Sequence, residues 1–309
     1  MLKPALLLTA KRSGLIDAQF QGFLAHYNAC GFLGGAGETH DYPFFLRSLA
    51  KPIQASLMED FGTHLHFGFN DEEIAVFCAS HSAQNYHIKL VRSVLKKIGL
   101  DEGALLCSTH PPFVPREDAS NTAVYNNCSG KHTLMLALCV QNGWNTANYC
   151  DFEHPLQRLI YARHLQLSGA KELPVTFDGC GTPIWAMNFK SAAKSFLRVF
   201  EKYNIIKSAF LKHPLVIGGP DRTDTKIMLA SPYLIAKIGA GGLLLIFNTA
   251  KHEVLIIKMM QEDYLVREIV ASNALNWLGW LNSPLCCEEI KNHHGTSVGS
   301  YVFYDTIRI

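Results

Sequence analysis

Residues 236–259 read AKIGAGGLLLIFNTAKHEVLIIKM, and this stretch decides the fold class of the chain. It contains two apolar runs that are typical of strands, Ala236 to Phe247 and Glu253 to Met259. Three glycines interrupt the longer run, and no apolar stretch of the chain reaches the 18 or so residues that a membrane-spanning helix needs. We therefore predict strands in this part of the chain and no membrane span.

Outward from this stretch, strand patterns occur at both ends of the chain and helical patterns fill the middle. The other predicted strands are Leu6 to Thr9, Gln19 to Tyr27, Ala75 to Ala79 and Tyr301 to Tyr304. The predicted helices are Tyr86 to Ile98, Thr133 to Gln141, Pro155 to Leu167, Phe189 to Tyr203 and Tyr264 to Leu281. Because strands and helices do not alternate one by one, a doubly wound parallel sheet is not favoured. We predict an α+β fold, α/β/α sandwich-like, in a single domain over residues 1–309, with a mainly antiparallel sheet from both chain ends and a helical middle at roughly 85–205.

Composition narrows the class of protein. The chain has 309 residues, 48% of them hydrophobic and 17% charged, with a net charge of +2. These values describe an ordinary globular protein, and the absence of a basic block argues against nucleic-acid binding. The nine cysteines have no regular spacing, and the first apolar stretch is too short for a signal peptide. We expect reduced thiols, a cytoplasmic location and a small molecule or another protein chain as partner.

The segment Ser48-Leu49-Ala50-Lys51 has a spacing that brings a hydroxyl and an amine together across one helical turn. A neutral lysine could then deprotonate the serine, provided that its pKa is lowered from about 10.4 towards 7. The same spacing recurs three more times, so it does not identify a site by itself. The other pairs are Ser93 with Lys96, Ser168 with Lys171, and Ser191 with Lys194.

A second polar cluster, Ser80-His81-Ser82, follows the predicted strand Ala75 to Ala79. The end of a buried strand is a frequent place for functional side chains, because the strand fixes the position and the loop exposes it. A turn with an incidental hydroxyl remains the alternative.

The third candidate is built from Cys128, Lys131 and Cys180, with His132 beside them. Cys128 begins an apolar helical run, so its thiol and the Lys131 amine share one face near a helix start. A metal site, a reactive thiolate site and two inert buried cysteines all fit this pattern. The chain has no Cys-x-x-Cys and no His-Glu-x-x-His motif, which argues against a structural zinc framework. It also lacks a phosphate-binding loop and a Gly-x-Ser-x-Gly motif.

Taken in order, these motifs resemble one family, the Rhizobium-etli-type L-asparaginases, also called the asparaginase II family. The similarity extends from roughly residue 10 to the end of the chain. It is carried by Arg-Ser-x-x-Lys-Pro at 47–52, Cys-Ala-Ser-His-Ser at 78–82, Asn-Cys-Ser-Gly-Lys-His at 127–132, His-Pro-Leu-Gln at 154–157, Asp-Gly-Cys-Gly-Thr-Pro at 178–183, Arg-Thr-Asp-Thr at 222–225 and Lys-Ile-Gly-Ala at 237–240.

The resemblance implies a serine β-lactamase-like fold, a homodimer, and hydrolysis of L-asparagine to aspartate and ammonia. It implies Ser48 as nucleophile with Lys51 as its base, and a second pair made by Ser80 and Lys258. It also implies a zinc ion (Zn²⁺) near the substrate. The implied metal ligands are Cys128, Lys131 and Cys180, and the candidate substrate-binding residues are Asp178, Arg47 and His132.

Two stretches depart from the family pattern. The family usually has Arg-Gly near the start, where this chain reads Lys11-Arg12-Ser13-Gly14, and the residues after Lys258 also differ. We expect these changes to affect substrate preference, affinity and the dimer contact more than the reaction type. Two alternatives remain: a hydrolase of another amide, such as glutamine, a β-aspartyl compound or a lactam, and a non-catalytic zinc-binding or thiolate-binding protein.

Overall fold

The computed structural model describes residues 3–39, 41–109 and 122–304. The strands are β1 Ala5–Arg12, β2 Leu15–Asn28, β3 Gly31–Ala36, β4 Pro43–Phe45, β5 Val175–Phe177, β6 Pro183–Asn188, β7 Leu234–Gly239, β8 Leu243–Asn248, β9 Glu253–Met259, β10 Glu289–Lys291 and β11 Ser297–Phe303. The helices are α1 Lys51–Asp60, α2 Thr63–Phe67, α3 Asp71–Cys78, α4 Asn85–Lys97, α5 Ser129–Asn142, α6 Pro155–Ser168, α7 Phe189–Lys202, α8 Asn204–Lys212, α9 Pro214–Ile217, α10 Thr223–Ala230 and α11 Tyr264–Trp277. Short 3₁₀ turns lie at Arg47–Ala50, Glu102–Ala104 and Ala123–Tyr125. None of the helices described is long and apolar enough to cross a membrane.

The main sheet combines both ends of the chain. Its strand order is β10-β11-β1-β2-β9-β8-β7, and β3 pairs with β2 beside this path. A small second sheet has the order β4-β6-β5. Neighbouring strands are antiparallel throughout. This architecture confirms the predicted α+β class, with a mainly antiparallel sheet from the two ends and helices from the middle.

Strands β7 and β8 are buried at every residue. Because successive side chains of a strand point to opposite faces, both faces of the sheet are covered here. Helix α7 packs against β2 and β9, and α11 contacts β1. The run predicted as one strand from Ala236 to Phe247 is divided in two by a tight turn. Gly241 and Gly242 both have a φ of 75°, and a Cβ on Gly242 would lie 2.6 Å from the carbonyl oxygen of Met259, so only glycine fits.

The predicted strand Ala75 to Ala79 is wrong, because these residues belong to α3 and its C-terminal end. A capping box starts this helix: the Asn70 side chain accepts from the Glu73 N–H, and Glu73 accepts from the Asn70 N–H. The helix is buried between other helices, which makes its apolar run continuous and hides the helical period. Helices also begin earlier and end later than the predicted range 85–205, from Lys51 to Ala230.

Helices α3 and α5 approach each other very closely at Gly130. A Cβ on Gly130 would lie 2.1 Å from the carbonyl oxygen of Val76, so this position has no room for a side chain. The contact fixes the end of α3, where Ser80 follows, against the start of α5, where Cys128 and Lys131 lie. The core of the molecule thereby brings two of the predicted motifs together.

Candidate active site

Ser48 lies in the 3₁₀ turn that precedes α1. The residue before it, Arg47, has a φ of +49°, a left-handed conformation that costs a non-glycine residue on the order of 1–3 kcal/mol. Two contacts hold this turn: the Leu46 N–H donates to the Trp185 carbonyl at 3.1 Å, and Arg47 Nε donates to Asp178 Oδ1 at 2.7 Å. Ser48 is only 9% exposed, and within the described residues its Oγ makes no hydrogen bond.

Lys51 begins α1, and its side chain is almost completely buried. Its amine donates to the carbonyl oxygen of Ala79, to Ser80 Oγ at 3.0 Å and to the carbonyl oxygen of Asn127 at 3.4 Å. Lys51 follows Ser48 by one helical turn, but its amine hydrogen-bonds to the second serine, Ser80. Three segments that are distant in sequence meet at this amine.

A second lysine, Lys237 in β7, contacts the same serine. Its amine lies 2.9 Å from Ser80 Oγ and 3.1 Å from the Ile238 carbonyl oxygen. The predicted partner of Ser80, Lys258, lies elsewhere: its amine donates to the carbonyl oxygens of Gly241 and Met259, at 2.7 and 2.8 Å. Lys258 belongs to β9, which is separated from β7 by β8. The Ser80–Lys258 pair is thus not formed, and Lys237 takes that place.

Electrostatics distinguish Lys237 further. Its side chain is fully buried, and burial lowers its pKa from 10.5 to about 7, with a smaller lowering effect from the positive charge of Lys51. The carboxylate of Asp224, also fully buried and 3.6 Å from the amine, opposes this shift. A substantial fraction of Lys237 is therefore neutral at pH 7 and able to accept a proton from the Ser80 hydroxyl.

The predicted metal residues form a second buried cluster beside the first. The Lys131 amine donates to Cys180 Sγ at 2.9 Å and to Thr182 Oγ1 at 2.7 Å. Cys180 lies in a turn that is closed by two backbone hydrogen bonds between Asp178 and the residues up to Thr182. Cys128 and Cys180 are both free thiols, close enough that a hydrogen bond between them affects both pKa values.

This cluster favours one thiolate. The hydrogen bond from Cys128 lowers the pKa of Cys180 far below its usual range, against the effect of burial, and Lys131 adds to the lowering. The same hydrogen bond, together with burial, raises the pKa of Cys128. Burial lowers the pKa of Lys131, but the nearby sulfurs outweigh it and the net pKa is raised. The charge pattern is a Cys180 thiolate, a Cys128 thiol and a Lys131 ammonium.

The three predicted substrate-binding residues lie around this cluster. Arg47 and Asp178 form an ion pair at 2.7 Å, which connects the turn of Ser48 to the turn of Cys180. His132 is fully buried, and its Nδ1 lies 2.7 Å from the Tyr149 hydroxyl. Burial lowers the pKa of His132, which keeps its ring neutral. Arg47 and Asp178 thus contact each other beside the cluster, whereas the His132 side chain hydrogen-bonds to Cys180 within it.

The sequence interpretation assigned no role to Lys237, Asp224 or Thr182. The signal for Lys237 was a single lysine inside an otherwise apolar strand, with sequence Leu-Ile-Ala-Lys-Ile-Gly over β7. Lys258 in β9 shows the same strand signal, but it lies outside the family-like motifs, whereas Lys237 begins the motif at 237–240. In the fold, the packing of β7 against the turn of Ser48 separates the two lysines.

Sequence comparison gives one clear match. The profile of the family described as L-asparaginase II matches residues 8–303. Among curated proteins, no relative with significant similarity was found. Among solved structures, a β-lactamase from Mycobacterium bovis is similar over 83% of this chain and 94% of its own, with 12% sequence identity and a TM-score of 0.36.

Proposed function

The chain belongs to the L-asparaginase II family, and on that premise we propose that it hydrolyses the side-chain amide of L-asparagine to L-aspartate and ammonia by a Ser–Lys mechanism. The observation that carries the proposal is the meeting of two buried lysines, Lys51 and Lys237, at the hydroxyl of Ser80. Ser48, one helical turn from Lys51, supplies a second hydroxyl with no hydrogen-bond partner in the described chain. Two hydroxyls and two amines in a buried site are the groups that nucleophilic attack and proton transfer require.

In this mechanism Ser48 is the nucleophile and Lys51 its base. Lys51 passes one proton through the Ser80 hydroxyl to neutral Lys237 and takes the Ser48 proton in its place. The two heavy-atom distances along this path, 3.0 and 2.9 Å, are those of hydrogen bonds. Ser48 then attacks the amide carbon and a tetrahedral intermediate forms.

The same path run backwards completes the reaction. A proton returns from Lys237 through Ser80 and Lys51 to the amide nitrogen, and ammonia leaves. The acyl group is now an ester of Ser48, and water attacks it while the lysines accept the water proton; the ester bond then breaks, aspartate leaves and the proton returns to Ser48 Oγ. Lys258 takes no part in this scheme, because its amine is occupied by two backbone carbonyl oxygens.

The donor set at the second cluster fits zinc only if the lysine contributes. Cys128 and Cys180 supply two neighbouring sulfurs, and the Lys131 amine is 2.9 Å from Cys180. In the described part of the chain no group of three His, Cys, Asp or Glu side chains has the arrangement of a metal site, so we assign Lys131, after losing a proton, as the third ligand. Bound zinc would supply a Lewis acid that orients an amino or carboxylate group.

Charge favours an amino-acid substrate. The Lys51 amine is buried at the site and forms an ion pair with no carboxylate in the described chain, so an anionic group such as an α-carboxylate is attracted to it. Asp178, with 10% of its side chain exposed, is our candidate for the α-ammonium group, and Arg47, with 38% exposed, for a carboxylate. Either interaction requires the ion pair between them to rearrange.

The test is ammonia release by the purified protein from L-asparagine and, in parallel, from L-glutamine. Ser48→Ala removes the proposed nucleophile, and Ser191→Ala, at another Ser-x-x-Lys spacing on α7, is the matched control. We expect release from asparagine that is lost in Ser48→Ala and kept in Ser191→Ala. Glutamine, one methylene longer, should be a poorer substrate by the ~1–3 kcal/mol that such a group changes in transition-state binding.

Other outcomes separate the alternatives. Full activity in Ser48→Ala would move the nucleophile to Ser80. Release from glutamine, a β-aspartyl compound or a lactam, but not from asparagine, would identify another amide hydrolase. Tight zinc binding without turnover of any amide would support the non-catalytic alternative.

We also propose a homodimer in the cytoplasm. The homodimer is the assembly that family resemblance implies, and all nine cysteines are free thiols, a state typical of a reducing compartment. Analytical ultracentrifugation and cell fractionation test these two points.

A further inference from the structure

Asp224 is a fully buried carboxylate next to the catalytic lysine pair. Its Oδ2 lies 3.6 Å from Lys237 Nζ, and neither residue is exposed at all. This distance is beyond a hydrogen bond but well within the range of a charge interaction. An isolated buried carboxylate is costly, so its position beside a buried amine calls for a reason other than packing.

Backbone groups fix this carboxylate. The N–H of Ile238, the residue after Lys237, donates to Asp224 Oδ2 at 3.1 Å, and the N–H of Thr225 lies 3.2 Å from Oδ1. The carboxylate therefore has a defined orientation relative to β7. Its hydrogen bonds are with the backbone and its charge faces both Lys237 and Arg267, so its influence on Ser80 passes through Lys237.

Residues 217–219, which shortly precede Asp224 in the chain, contact residues 80–82. The Ser80 N–H donates to the Ile217 carbonyl at 2.9 Å, and Ser82 Oγ donates to the Gly218 carbonyl at 2.9 Å. A Cβ on Gly219 would lie 2.7 Å from Ser82 Oγ, so the two segments are in direct contact. Backbone contacts between these segments therefore hold Ser80, Lys237 and Asp224 in fixed positions relative to one another.

We propose that Asp224 is a positioning residue whose carboxylate holds the Lys237 amine against Ser80 and favours its charged form. The activity part of this inference rests on the proposed function, whereas the effect on the lysine does not. Without Asp224, burial and neighbouring positive charges would outweigh the small opposing effect of Cys128, and the amine would spend less time protonated. Proton return to the leaving nitrogen would then be impaired.

The pH dependence follows from the groups that face Lys237. Burial lowers its pKa most, the charges of Lys51 and Arg222 lower it further, and Asp224 raises it. Removal of Asp224 must therefore lower the pKa of Lys237 below about 7. The ionisable groups around the pair are Asp224, Lys51, Arg222, Cys128, Cys78 and, beside Asp224, Arg267.

The experiment titrates the lysine directly, without substrate. Proteins labelled with ¹³C-lysine are followed by NMR from pH 5 to 10, and the Lys237 signal is the one absent from Lys237→Met. We expect a midpoint near 7 in the wild type and a midpoint at least about one pH unit lower in Asp224→Asn, the size of effect that an opposite charge at this distance produces. Asp221→Asn, an exposed change in the same segment, is the control and should leave the midpoint in place.

A midpoint in Asp224→Asn equal to that of the wild type would overturn the proposal. Asp224→Glu, which keeps the charge, replaces Asp224→Asn if that variant does not fold. The midpoint of the Lys237 titration in Asp224→Glu should stay at or above the wild-type value. A midpoint below the wild-type value would also overturn the proposal. In an asparagine-hydrolysing protein, the acid limb of the kcat/KM profile should move to lower pH in Asp224→Asn, and kcat should fall at least tenfold. Failure of asparagine hydrolysis would count against the proposed function and leave the NMR result unaffected.

Discussion

The buried amine of Lys237 makes a quantitative prediction about stability. Its pKa is about 7 in the folded protein and near 10.4 in the unfolded chain. Between these values the unfolded chain binds a proton that the folded protein does not, so folding becomes more favourable as pH rises. For a difference of one bound proton, the free energy of unfolding rises by about 1.4 kcal/mol per pH unit. Because half of the amine is still protonated at pH 7, the free energy of unfolding should rise by about 2 kcal/mol from pH 7 to pH 9.

Urea unfolding of the wild type and of Lys237→Met at pH 7 and pH 9 measures this gain. Lys237→Met also leaves Asp224 without its partner, which changes absolute stability, so only the difference between the two pH values is compared. From pH 7 to pH 9, the free energy of unfolding of the wild type should rise by about 2 kcal/mol more than that of Lys237→Met. Lys190→Met, an exposed change on α7, controls for the loss of a lysine. Parallel behaviour of the wild type and Lys237→Met would refute the low pKa of this amine and the proton path that depends on it.

Three further results are expected. Lys237→Met should lower kcat/KM for asparagine by about 10²–10⁴-fold, the usual contribution of a general acid–base group, whereas Lys258→Met should change it less than fivefold in the same ammonia assay. Cys128→Ser should abolish zinc retention, measured by metal analysis after gel filtration, whereas Cys30→Ser, at an exposed thiol, should retain zinc as the wild type does. Asn70→Ala should destabilise the protein by about 1 kcal/mol in urea unfolding through loss of the α3 capping box, and an unchanged midpoint would contradict that role.

The fold class could be predicted because apolar strands cluster at both chain ends, and that pattern does not depend on details of packing. The run Ala75 to Ala79 failed because a helix buried on all sides loses its polar face, and with it the period of 3.6 residues. Its start signal was present in the sequence as Asn70 followed by Glu73, a pattern that marks a helix N-terminus. Capping residues were therefore the better guide in this segment.

For the candidate site, the motifs at Ser48, Ser80, Cys128 and Cys180 were predicted and lie in two adjacent clusters. The strand pattern alone does not separate Lys237 from Lys258, since both lie in apolar surroundings in sequence; the signal that favours Lys237 is its place in the family-like motif at 237–240. The difference arises from tertiary structure: β7 lies against the turn of Ser48, and β9 lies two strands away. Sequence spacing carries no information about which strand forms that edge.

The close contact at Gly130 has a consequence for engineering this site. Because the backbones of α3 and α5 touch there, any side chain at position 130 would separate the helices and displace the serine cluster from the cysteine cluster together. Directed evolution cannot adjust the distance between them by small steps at this contact. New substrate preferences would have to come from residues at the rim, such as Arg47 and Asp178. The relative position of the serine and cysteine clusters would stay unchanged.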